Sequence, residues 1–270
     1  MGMQGVAHEF QDQPDFSQFS IQLGVFAASL AKTAEQMDAV QRLRAQRFRS
    51  RDALVDLDRF DPVCHHLMIR IAPDPAPIGV ARFRLLVEPD EIEACYSAQF
   101  YDLAALARTG RRLVEVGRIC IDENHAHDID IARMMIAALT HIASVCRADM
   151  LMGCASFPKA EPARHADALR FLFNRHLGPK ALRPGRRAGM KHVSAMDGLL
   201  PQQTDLRQVP ALLRLYLRLG GWVSDHAVCD HNLDTVHVFT AVEVNSIPSA
   251  RLRALRALAR KQGTGSAPET

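Results

Sequence analysis

The signatures of several common chemistries are missing from this chain. It holds no Cys-x-x-Cys pair: Cys64, Cys95, Cys120, Cys146, Cys154 and Cys229 are scattered and mostly sit in apolar runs. That excludes a zinc framework and points to free, buried thiols in a reducing compartment. There is no His-Glu-x-x-His, and His65, His66, His125, His127, His226, His231 and His237 show no other metal spacing, so no metal is expected. Neither Gly-x-Gly-x-x-Gly nor a Walker loop occurs. Ser156 does not lie in Gly-x-Ser-x-Gly, which excludes a hydrolase elbow, and Cys154 in its apolar strand reads as an inert thiol. No charged N-terminal stretch precedes an apolar run, and no apolar run reaches about 18 residues, so neither a signal peptide nor a bilayer span is expected. A net charge of +3 over 270 residues excludes a nucleic-acid-binding polycation. No internal repeat is visible.

What is present suffices for one large domain, with 48% hydrophobic residues to fill its core. The run Leu113-Val-Glu-Val-Gly-Arg-Ile-Cys-Ile121 is mostly apolar and β-branched and reads as a buried strand. Glu115 and Arg118 interrupt it. Residues three apart on a strand face opposite ways, but Gly117 between them signals a bulge that would bring both to one face. An internal ion pair bracing a central strand is the simpler alternative.

Around this strand the pattern alternates. Residues 19–28 read as a strand. Thr33 and Gln36 form a capping box for a helix to Phe48, in which Arg44 lies one turn before Phe48. An acidic loop spans 52–61. Strands follow at 65–71 and 78–87 around a Pro-rich turn, the second with a cationic face made by Arg82 and Arg84. Residues 91–108 read as mainly helical. After the central strand come a polar turn at 122–130, a helix at 129–146, a strand at 151–157 and a helix at 163–175. A basic loop or hairpin follows, carrying Lys180, Arg183, Arg186, Arg187 and Lys191. A short helix spans 209–219, and a last strand spans 235–244. A final helix at 249–261 presents Arg253 and Arg256 beside a leucine stripe. The expected fold is an α/β (α+β) layered domain with a mixed sheet.

Four segments occur in register: Arg44-xxx-Phe48, Asp58-xx-Asp61, Arg84-Leu85-Leu86 and Glu115-xx-Arg118. Together they resemble the acyl-homoserine lactone synthases, GNAT-fold enzymes that use acyl carrier protein. Further segments are Phe60-Asp61-Pro62-Val63-Cys64-x-His66-Leu67, Tyr96-Ser97-Ala98-Gln99-Phe100-Tyr101-Asp102-Leu103, Gly153-Cys154-Ala155-Ser156-Phe157-Pro158 and Tyr216-Leu217-Arg218-Leu219-Gly220. These resemble the ornithine-lipid N-acyltransferases over about residues 20–245. His65 departs from that pattern, which has an acid there.

The resemblance implies a GNAT-like, mostly antiparallel central sheet flanked by helices, with C-terminal additions. With it, the composition divides the chain into a flexible N-terminus (1–17), an acyltransferase domain (18–247), a basic helix (248–262) and a disordered tail (263–270). The resemblance also implies attack of the α-amino group of L-ornithine on a 3-hydroxyacyl thioester of acyl carrier protein, giving lyso-ornithine lipid. No cofactor would be held permanently; the donor is the 3-hydroxyacyl-phosphopantetheine. Glu115, Arg118 and Asp61 would be catalytic, with Glu115 the base. Arg44, Phe48, Asp58 and Arg84 would bind substrate. Carboxylates suit the ammonium groups of ornithine, and arginines suit its carboxylate. A bulge near Gly117 would offer an N–H to the thioester oxygen.

Acetyl-CoA-dependent relatives carry Arg-x-x-Gly-x-Gly/Ala at the turn after this strand. Here Asp122–Asp130 has no glycine and four acids, which repel a pyrophosphate and favour the carrier protein. Lys180, Arg183, Arg186, Arg187, Arg253 and Arg256 would dock acidic acyl carrier protein or an anionic membrane, or simply form solvated faces. The expected location is cytoplasmic, with peripheral contact to the inner membrane face. Two alternatives stay open: an acyl-homoserine-lactone-synthase-like enzyme, and a non-catalytic acyl-carrier or membrane-binding module.

Overall fold

The alternation of β-branched runs with amphipathic stretches folds into one twisted sheet with helices on both faces. The computed structural model describes residues 14–49, 53–194, 208–248, 250 and 253. Among these, nine strands join in one sheet. In chain order they are β1 (Ser20–Leu23), β2 (Phe26–Leu30), β3 (His65–Ile71), β4 (Pro77–Leu86), β6 (Leu113–Ile121), β7 (Met150–Pro158), β9 (His192–Ser194), β10 (Trp222–Asp230) and β11 (Thr235–Glu243). Their spatial order is β1-β2-β3-β4-β6-β7-β11-β10-β9. A two-stranded ribbon pairs β5 (Tyr101–Asp102) with β8 (Gly185–Arg186). The helices are α1 (Ala34–Phe48), α2 (Pro89–Glu93), α3 (Ala104–Ala107), α4 (Ile129–Val145), α5 (Ala166–Arg175) and α6 (Ala211–Arg218).

Every neighbouring pair in the large sheet is antiparallel except β6 with β7. Parallel neighbours need a crossover, and α4 supplies it. Its Ile131, Met134, Met135, Ala138 and Ile142 pack on Ile21, Ala28, Leu67, Ile69 and Phe83 of one face. On the other face Val40 and Leu43 of α1 meet Met68, Val80 and Cys120. The parallel pairing is short: Leu113, Val114 and Glu115 face Met150, Leu151 and Met152, and there it stops. β6 continues to Ile121 and β7 to Pro158 without pairing to each other, so the middle of the sheet opens into a wedge.

Several expected elements need correction. The run 19–28 is a hairpin, because Gly24 takes φ 59° and turns the chain between paired Leu23 and Phe26. The segment 91–108 breaks into α2, a 3-10 turn at Ser97–Gln99, β5 and α3. Trp222–Asp230 is a full strand that hydropathy did not show. Ser224, Asp225 and His226 interrupt its apolar pattern, yet Ser224 and His226 are fully buried. The strand bearing Arg82 and Arg84 lies between β3 and β6, in the interior of the sheet. The loop start at Asp52, residues 1–13 of the N-terminus, Arg256 with most of the basic helix, and the 263–270 tail lie outside the described residues. No helix among the described residues is long and apolar enough to cross a membrane.

Candidate active site

The central strand does bulge, one residue later than the sequence suggested. Cys120 and Gly117 of β6 oppose Val80 and Arg82 of β4, so β6 holds one residue more than its partner. The extra turn is taken by Arg118, with φ 51° in the left-handed region. An L side chain is disfavoured there by about 1–2 kcal/mol. Gly117 has no such φ and no neighbour crowding its missing Cβ. The shift matters because it turns Arg118 to the face that carries Glu115, Arg82 and α1.

Around Arg118 the acids and guanidiniums form a closed, alternating ring. Arg44 pairs with Asp56 at 2.7 Å, Asp56 with Arg118 at 2.9 Å, and Arg118 with Asp58 at 2.9 Å. Asp58 pairs with Arg82 at 2.5 Å, Arg82 with Asp61 at 2.8 Å, and Asp61 with Arg44 at 2.7 Å. Arg49 joins at Asp56, 2.6 Å away. Arg44 is fully buried and Asp58 is the most open member, with its side chain 18% exposed. The left-handed backbone at Arg118 is thus held by two ion pairs.

Burial alone would raise the carboxyl of Asp61, but hydrogen bonds from Arg44, the Asp58 backbone N–H and Arg82 hold it down at about 2. Asp56 is lowered too, the charges of Arg118 and Arg44 outweighing its burial. Both groups therefore stabilise the fold above the ordinary carboxylate value near 3.8, and that stability is lost as pH falls below it, for Asp61 toward about 2. For Asp61 the loss should be about 2 kcal/mol. A melting-temperature series from pH 5 to pH 2 should fall steeply below pH 4. Asp61→Asn should be less stable at neutral pH and flatter across that window; an unchanged slope would contradict this account.

Of the residues singled out from sequence, Arg44, Asp58, Asp61 and Arg118 meet in the ring, and their charges are spent largely on one another. Phe48 lies against it, its ring 5.8 Å from the Arg118 guanidinium. Glu115 is adjacent but bonded elsewhere: it accepts the backbone N–H groups of Tyr96 (3.0 Å) and Ser97 (2.7 Å). Those bonds turn the chain where a helix was expected. Arg84 stands apart, paired with Glu91 at 2.9 Å. Asp56, Arg82 and Tyr96 were missed as site residues. An acid two residues before Asp58, on the same side of an extended chain, was the available signal for Asp56. Tyr96 sits under Arg118 (5.0 Å) and Arg82 (5.5 Å), and burial raises its phenol to about 12.

The wedge between β6 and β7 holds a cavity of about 230 Å³. Val116 to Ile119 form one wall and Met152 to Ser156 the other. Ile136 and Leu139 of α4 and Leu213 and Tyr216 of α6 close the apolar end, while Arg118, Phe48 and Tyr96 stand at the charged end. Burial pushes the Cys154 thiol well above its usual range, so it is a poor nucleophile. Among the described residues no cluster of three or more His, Cys, Asp or Glu could hold a metal. The turn before α4 is already supplied with anions: Asp122 accepts from Asn124 N–H and Asp128 from Asp130 N–H.

The sequence that builds this site is similar to those of known proteins. A family model described as "Acetyltransferase (GNAT) domain" matches residues 40–135, a span enclosing every ring residue. The L-ornithine N(alpha)-acyltransferase of Rhodobacter capsulatus is 31% identical over 233 residues, covering 81% of this chain and 90% of that protein. The chain belongs to the L-ornithine N(alpha)-acyltransferase family. That of Brucella abortus is 32% identical over 210 residues, 72% of each chain. The protein named so in Agrobacterium fabrum is 29% identical over 250 residues, 83% of each. As a member of this family the chain is an acyltransferase of GNAT fold.

The basic loop is open where it was expected to dock a partner. Lys180, Arg186 and Arg187 are exposed, while Arg183 is half-buried and leans on Asp225 at 3.6 Å. Arg253 is exposed.

Proposed function

We propose that this acyltransferase moves a 3-hydroxyacyl chain from acyl carrier protein to the α-amino group of L-ornithine, giving lyso-ornithine lipid. The observation that carries the reading is the cavity between β6 and β7, apolar at one end and bordered by the Asp–Arg ring at the other. A fatty chain suits the first end and a small dibasic amino acid the second. The relatives named L-ornithine N(alpha)-acyltransferase support ornithine as that amino acid. The acids already bonded to the turn before α4 support a carrier-protein donor over CoA, since they repel a pyrophosphate.

In this reading Asp58, the open member of the ring, holds an ammonium of ornithine; Arg84, expected to hold its carboxylate, is engaged by Glu91 and would have to leave that pair to do so. Arg118 faces the cavity and steadies the oxyanion that forms at the thioester. Arg44 and Asp61 keep Arg118 and Asp58 in register, and Phe48 walls the entrance. A carboxylate offers about four lone-pair sites. Two backbone N–H groups occupy Glu115, which leaves it able to take the amine proton through water. Lys180, Arg186 and Arg187 meet acidic carrier protein. Residues 18–247 act as the catalytic domain.

Expression in a host without aminolipids should yield a ninhydrin-positive, phosphorus-free lyso-lipid on thin-layer chromatography. Purified protein with 3-hydroxyacyl carrier protein and L-ornithine should make the same product, and a protein that makes none ends the proposal.

A further inference from the structure

His237 lies on β11 opposite Ser156 of β7 and lines the cavity together with Tyr96, Arg118 and Cys154. It is 2% exposed. One neighbour bears on its protonation pattern. The Tyr101 hydroxyl is 2.9 Å from the backbone carbonyl of His237 and 3.1 Å from Nδ1 of the same residue. With the single phenolic proton on the carbonyl side, the Tyr101 oxygen accepts from Nδ1–H. Burial holds the imidazole pKa down at about 3, so the ring is neutral, and in that arrangement Nε2 carries the bare lone pair.

That Nε2 is buried and has no hydrogen-bond partner among the described residues. The ring cannot turn away to find one. Tyr101 grips one edge, and Phe100 stands edge-on to it with centroids 4.7 Å apart at 76°. Leaving a buried acceptor dry is costly, so an acceptor fixed this firmly at a cavity wall is one that a ligand satisfies. The ligand must bring an N–H or O–H. A thioester has neither at its reacting carbon, whereas the attacking amine carries N–H on its reacting atom.

We propose that Nε2 of His237 accepts a hydrogen bond from the incoming amine and aims its lone pair at the thioester carbon. The inference rests on the acyl-transfer reading above. An imidazole of such low basicity holds the N–H without taking its proton, which leaves proton removal to another group. The competing donors are the 3-hydroxyl of the acyl chain and an amide N–H of the pantetheine arm, which enter the same cavity.

Two substitutions separate these outcomes. His237→Asn keeps an N–H for Tyr101 and has nothing at the Nε2 position, while the longer side chain of His237→Gln brings a carbonyl oxygen toward it. For H237N the kcat/KM for L-ornithine should fall about 10–100-fold, a hydrogen bond's worth. The KM for the acyl carrier substrate and the melting temperature should stay put, and H237Q should recover part of the loss. Unchanged ornithine kinetics in H237N, or a loss confined to the donor's KM, overturns the inference. An independent check needs no variant: long-range proton–nitrogen NMR of ¹⁵N-histidine-labelled wild type should show an unprotonated Nε2 for His237, and a protonated one overturns it. A wild type that acylates no ornithine ends the function proposed above; one that acylates ornithine with H237N as its equal ends this inference alone.

Discussion

Arg44→Met should destabilise the fold by about 3–5 kcal/mol, a large share of the 5–15 kcal/mol that holds a typical domain together. Methionine fills the volume of the arginine stem, so packing survives and the charge is what disappears. Arg44 is fully buried and meets both oxygens of Asp61 (2.7 and 3.2 Å) as well as Asp56 (2.7 Å). Its removal leaves two carboxylates buried with fewer partners, which costs far more than the net worth of the pairs. Asp56 keeps Arg118 and Arg49, and Asp61 keeps Arg82. Those remaining pairs are why we expect a few kcal/mol and not a chain that never folds. Urea titration should show a lower midpoint with an unchanged slope. The double variant with Asp61→Asn should lose less than the sum of the single losses, because one carboxylate no longer needs compensation. A change below about 1 kcal/mol would show that the ring is not the closed unit described here.

The second large effect is expected at Gly153, where β6 and β7 part. A Cβ there would lie 2.1 Å from the backbone oxygen of Val116. The obstacle is main chain at the last parallel pairing, so no side chain can swing aside. Gly153→Ala should cost more than about 3 kcal/mol, or force the two strands apart and abolish acyl transfer by deforming the cavity wall. Gly117→Ala is the control. It sits in the same wedge with nothing within 4 Å of the added carbon and no positive φ, so its stability should stay within about 0.5 kcal/mol of the parent. Thermal melts of the two variants side by side test this, and equal melting points would remove the close approach as a constraint.

These two glycines mark where sequence reading works and where it stops. Gly117 drew attention because glycine in a strand often signals a bulge, and a bulge is present, but Arg118 carries it. An arginine tolerates the left-handed backbone here because Asp56 and Asp58, about sixty residues earlier, bond its guanidinium. Gly153 stood in a recognised segment with no role assigned, since only the approach of Val116 makes its missing side chain necessary. Likewise 91–108 has the composition of a helix. Glu115 captures the N–H groups of Tyr96 and Ser97 across the sheet and turns the chain there.

The sequence by itself determined what short-range forces decide. The Thr33 and Gln36 capping box set the start of α1, short apolar runs set β3, β4, β6 and β7, and the spaced acids and arginines pointed to the family. Only the tertiary structure decided which acid meets which guanidinium, that Arg82 joins the ring while Arg84 turns to Glu91, where β6 leaves β7, and that His237 is buried at the cavity wall. Helix caps and strand propensity act over a few residues, so the local sequence contains them. Ion pairs, close backbone approach and a buried histidine depend on partners dozens of residues away, and the chain must fold before they exist.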